Sequence, residues 1–175
     1  MTRKPIHNRG FSLLELLVVV AIILIIAAIA IPNLLRSRMA ANEAAAVSTV
    51  RNINNSQATY LTQFSTVGFG ASLKTLGPSA ACDANGACLL DGLVGCAADP
   101  CAKSGYQFYM TSVGAPVIVS YAVTGTPLGW NTTGARNLCS YEDGILRQQK
   151  NPSAKLTSAL PKSACDDPAQ YQPVQ

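Results

Sequence analysis

Between Phe11 and Ile31 the chain carries only two polar side chains, Ser12 and Glu15. Wound as an α-helix at ~1.5 Å per residue, this stretch is about 30 Å long, the thickness of a bilayer's hydrocarbon core. It is too long and too uninterrupted for the core helix of a soluble domain. A secretory signal has a shorter apolar region with a small-residue cleavage site after it. None follows here: Ile31-Pro32-Asn33-Leu34-Leu35 leads into more helix-forming sequence. The segment is therefore expected to stay in the mature protein and to cross a membrane once.

Two features frame this segment. The first ten residues hold Arg3, Lys4 and Arg9 and end in Gly10. Positive charge before an apolar span places the N-terminus on the cytoplasmic side and the rest of the chain outside. Arg36 and Arg38 weaken that bias without reversing it. The second feature is Glu15. A carboxylate inside a membrane helix is costly and points to a function. Near the interface, it is also favoured by the positive end of the helix dipole. The residue alone leaves both readings open.

The order of these features resembles the type IV pilin family, type IVa major pilins in particular, and the related pseudopilins of type II secretion systems. The motif is Gly10-Phe11-Ser12-Leu13-Leu14-Glu15-Leu16, after a basic leader and before a long apolar run. The resemblance covers roughly residues 1–53. It implies that residues 1–10 are a leader removed by prepilin peptidase. The cut falls between Gly10 and Phe11, Phe11 is then methylated, and Phe11 and Glu15 serve filament assembly. It also implies residence in the inner membrane before assembly, head periplasmic, and an extracellular pilus afterwards.

Beyond residues 11–31, residues 32–64 are expected to continue the helix. Pro32 either ends it or kinks one long helix, since it lacks an N–H and clashes with the carbonyl four residues back. The kink is preferred because the helical pattern resumes at once. Leu35, Met39, Ala46, Val50, Ile53, Tyr60 and Phe64 recur mostly every three or four residues as one apolar stripe. Gly68 and Gly70 predict an end near Phe64.

Residues 65–104 read as loops, with Gly77-Pro78, Asn85-Gly86, Asp91-Gly92 and Asp99-Pro100 as turn signals. They hold Cys82, Cys88, Cys96 and Cys101; Cys139 and Cys165 complete six. An even count in an exported domain predicts disulfides rather than metal. Six cysteines allow 15 connectivities; proximity favours Cys82–Cys88 and Cys96–Cys101. Residues 105–149 read as an antiparallel sheet: Tyr106–Thr111, Val117–Val123, Arg136–Tyr141 and Ile145–Arg147, the last two joined by Glu142-Asp143-Gly144. Residues 150–175, with four prolines and no periodicity, would be a loose tail unless Cys165 tethers it. Cys139 is its natural partner, and type IVa pilins commonly close such a loop.

The expectation is thus an α+β chain: a long N-terminal helix whose second half packs on a four-stranded antiparallel head. Composition narrows the function. His7, the only histidine, lies in the leader, so the mature chain has none for general-base work or zinc. No catalytic constellation, metal cluster or cofactor loop is evident. The pairs Glu142-Asp143 and Asp166-Asp167 are expected to face solvent. The formal charge of +4 falls near +1 once the leader takes Lys+Arg from 13 to 10 against 9 acids. That is no footprint for nucleic acid, and Arg147, Lys150, Lys155 and Lys162 read as a solvated surface. The expected function is a structural pilus subunit; the alternative is a pseudopilin. The implied partners are other pilin subunits, prepilin peptidase, the inner-membrane assembly machinery and the membrane. The long mature chain and its cysteines favour a pilus, as does the lack of a dense oxygen-ligand loop for calcium.

Overall fold

A computed structural model of the chain describes residues 11–174; the expected leader, Gly10 included, lies outside the described residues. The chain divides into two compact units, the boundary falling after Ser37. Helix α1, Leu13–Gln63, contributes to both and contains Pro32, which is therefore not a helix end. The second unit also holds α2 (Leu73–Leu76), β1 (Cys101–Lys103), β2 (Tyr106–Val113), β3 (Ser120–Pro127), β4 (Leu138–Tyr141), β5 (Arg147–Gln149), α3 (Lys162–Cys165) and β6 (Tyr171–Pro173).

The strands form one sheet in the order β1-β2-β3-β4-β5-β6, each antiparallel to its neighbour. Period-two alternation decides its faces. Tyr106, Phe108, Met110, Tyr121 and Val123 point to one side and pack with Ala46, Val50, Ile53 and Tyr60 of α1. The predicted stripe is thus the core stripe over its second half. Leu35 is exposed and Met39 half-buried, because they precede the sheet-packed part of the helix.

Six strands replace the expected four. The extra ones are β1, at the end of residues 65–104, and β6, inside the tail. Each has three residues, too few for alternation to be read. The strand predicted at Val117 begins only at Ser120, where β3 enters register with Val113 of β2. Val117–Val119 lie just before it, and Ile118 pairs instead with Gly68 in an isolated parallel bridge.

The tail is tethered through Cys139–Cys165, as expected, and beyond that tether it straps the sheet's other face. Leu160 N–H donates to Thr124 Oγ1 and Leu156 N–H to Thr126 Oγ1, both at 2.9 Å. Thr111 Oγ1 donates to the Leu160 carbonyl, and Asn137 Nδ2 to that of Ala154. Thr124 and Thr126 are consequently fully buried, and β3 is covered on both faces. Cys139–Cys165 closes the strap, while Cys82–Cys88 and Cys96–Cys101 staple the loop region. Cys82–Cys88 and Cys96–Cys101 are the pairs that proximity favours, and Cys139–Cys165 is the tether expected for the tail.

Polar side chains on the core face of α1 complete the packing. Gln57, with no exposed surface, donates to the Gly70 carbonyl at 3.1 Å and accepts from the Gly70 N–H at 2.8 Å. It does for the segment after α1 what a strand neighbour would do. Replacing Gln57 by Leu strands both Gly70 groups in the interior. We expect a loss of about 1–3 kcal/mol for each, read as a lower denaturant midpoint of the detergent-solubilised chain. An unchanged midpoint would mean that Gly70 finds other partners.

Candidate functional site

The first turn of α1 is set by Ser12, whose carbonyl accepts the Leu16 N–H at 3.2 Å. Glu15 sits in that turn, where the helix dipole favours an anion. Phe11 precedes the helix, 79% exposed, with Glu15 four residues on. The Leu, Ile and Val side chains from Leu13 to Ile31 are 46–80% exposed, on every side of the helix. Soluble proteins do not present apolar surface on this scale to water. α1 is also, among the described residues, the one helix long and apolar enough to cross a membrane. The arrangement is a cylinder that must be covered by lipid or by other apolar helices, with one carboxylate near its start.

The comparisons bear on this same segment. A family model described as the prokaryotic N-terminal methylation motif matches residues 6–31. The type IV wide pilus major component PilA4 of Thermus thermophilus is 57% identical over 37 residues, 21% of this chain. The N-terminal segment of the chain is thus similar to that of type IV pilins. The chain spans 28% of the length of that relative. No solved structure matches the chain.

The other predicted residues are distributed over the second unit. Lys150 Nζ donates to the Pro168 carbonyl and Lys155 Nζ to that of Leu128. Arg147 pairs with Asp143 at 2.6 Å and Lys162 with Glu142. Lys150 and Lys155 thus hold separate backbone partners, while Arg147 and Lys162 converge on the β4–β5 turn, so the four do not make one open patch. Glu142 departs from its expected place: it is half-buried, with its side chain 23% exposed where it meets Lys162 of α3. Asp143 stays at the surface, its side chain partly covered by Arg147 of β5.

Sequence reasoning missed what gathers around Tyr141. The Arg147 guanidinium lies 4.3 Å from its ring centroid and Lys162 Nζ 5.1 Å. Its hydroxyl accepts from Arg147 Nη2 at 2.7 Å and donates to Asp166 Oδ1. Burial pushes the Glu142 and Asp143 carboxyls up, but bonds from Lys162, Ser120 and Arg147 outweigh it, so both titrate below the ordinary carboxylate range. The Asp166 hydrogen bond, with burial, pushes the Tyr141 hydroxyl well above its usual value. The only signal in the sequence was the crowding of charge at 141–147 and 162–167.

The apolar cylinder yields a direct test. Ile22→Lys puts a cation mid-segment, at a cost of about 3 kcal/mol on insertion scales. The variant is expected to shift from the alkali-resistant membrane fraction toward the soluble fraction. Full retention would mean that the cylinder does not sit in the bilayer.

Proposed function

We propose that this chain is a type IV pilin, the structural subunit of a type IV pilus. Residues 11–31 hold it in the inner membrane, N-terminus in the cytoplasm and head in the periplasm. Prepilin peptidase hydrolyses the Gly10–Phe11 bond and the new Phe11 amine is methylated. The inner-membrane assembly machinery then moves the subunit into an extracellular homopolymer. The observation that carries this reading is the overlap of the methylation motif, residues 6–31, with the exposed apolar helix. The head adds support. Among the described residues, both sheet edges are three-residue strands. On β6, the Tyr171 N–H is held by the Asp167 carbonyl and Pro173 has none to offer. Sheet-to-sheet polymerisation is thereby disfavoured, and association falls to the helix.

Cleavage gives Glu15 its role. The methylated Phe11 amine keeps its positive charge, four residues before the Glu15 carboxylate. In a lone subunit both lie near the interface and stay partly hydrated. Among packed apolar helices both are desolvated, and an unpaired one is heavily penalised. The Glu15 carboxylate of one subunit therefore pairs with the Phe11 amine of the next. That contact sets the axial register, which apolar side chains specify poorly.

Two outcomes test this reading. Mass analysis of assembled filaments is expected to start at methylated Phe11; filaments retaining Met1 to Gly10 would contradict it. Glu15→Val is expected to insert, be cleaved and fold its head, yet fail to enter filaments. Normal piliation from that variant alone would exclude the intersubunit pair.

A further inference from the structure

We infer that Tyr141, Glu142, Asp143, Arg147, Lys162 and Asp166 form an ionic clasp that holds the C-terminal strap closed independently of the Cys139–Cys165 disulfide. The disulfide joins β4 to α3 at one point. The clasp grips α3 on both sides of it. Lys162, the first residue of α3, pairs with Glu142 of the β4–β5 turn. Asp166, which caps α3, accepts from the Tyr141 hydroxyl and lies 3.8 Å from Arg147 of β5. Glu142 is itself held in place by Ser120 Oγ of β3 at 2.8 Å.

Single exposed ion pairs contribute little; this arrangement differs in three ways. Its members share partners, so the entropy of ordering each side chain is spread over several bonds. Its centre is shielded, with Tyr141 6% exposed and the Arg147 side chain 13%, while its α3 ends, Lys162 at 45% and Asp166 at 57%, reach solvent. Two cations lie within cation–π range of one ring, in addition to their carboxylate partners. The remaining neighbours of Tyr141 in its cluster are Ala122, Cys139, Cys165, Tyr171 and Leu160. Of these only Tyr171 titrates, and burial pushes its hydroxyl to about 12, so it stays neutral.

The clasp therefore responds to conditions that leave a disulfide untouched. Salt screens its pairs. Glu142 and Asp143 have depressed folded-state values, so their contribution is complete above the ordinary carboxylate range and is lost as pH falls through those values.

Hydrogen exchange of residues 158–168 in the detergent-solubilised full chain tests this. The amides of Ala164, Cys165 and Asp166 bond within the α3 turn and report its docking. With Cys139 and Cys165 both replaced by Ala, exchange at 20 mM salt is expected within about threefold of the wild-type rate. At 1 M salt it should rise at least tenfold, while the wild type stays protected. Equal fast exchange at both salts would overturn the proposal. Should the double variant not fold, Lys162→Met in the folded chain with its disulfides then reduced is the second arm. There the same amides should exchange at least tenfold faster at 20 mM salt than in the reduced wild-type chain. No change would overturn the clasp.

Discussion

The structure depends on a hydrophobic surface that one chain cannot bury. From Leu13 to Ile31 every face of α1 is apolar and open, and the head neither shares those side chains nor needs them for its core. At ~25 cal/mol per Å² of apolar area, this exposed surface outweighs any single polar contact in the molecule. It favours a bilayer or neighbouring apolar helices as its surroundings. The same lack of direction that makes the effect strong makes it indifferent to register. In the proposed filament the Glu15 carboxylate would supply that register, because a desolvated charge tolerates few positions.

The head solves a different problem. It must cover one face of a sheet with the second half of α1 and still protect the other. Tyr106, Phe108 and Val123 meet Val50, Ile53 and Tyr60 across the first interface. On the far side the chain uses a segment with little apolar content, so it is held by hydrogen bonds to Thr124, Thr126 and Asn137 rather than by burial alone. Gln57 and Asn54 repeat the device inside the first interface. Asn54 donates to Ser140 Oγ and accepts from the Tyr121 hydroxyl, tying α1 to the region of the β4–β5 turn. Polar groups buried this way require partners at fixed positions and give the head one arrangement instead of several.

The charged groups of the head follow the same division. Glu43 and Arg136 pair at 3.0 Å where α1 meets the β3–β4 loop, and the Tyr141 cluster sits where the strap returns to the sheet. Charge thus marks places where separate segments must stay together.

What could be read from residues alone was whatever local chemistry dictates. The spacing and length of the apolar run settle the membrane-length helix, and Gly10-Phe11 with Glu15 points to the pilin motif. The alternation in Tyr106-Gln107-Phe108 and the Asp143-Gly144 turn place two hairpins, since period and backbone freedom act within a few residues. Tertiary structure decided the rest. Strands β1 and β6 are three residues each and exist only because β2 and β5 offer edges to them. The start of β3 moved from Val117 to Ser120 because register with β2, not propensity, selects the paired residues. The tail's sequence offered only Cys165 as a tether, yet Thr124 and Thr126, 36 and 30 residues away from Leu160 and Leu156, give its backbone partners. Such contacts leave no periodicity in the chain, because each is a meeting of two segments that sequence order does not relate.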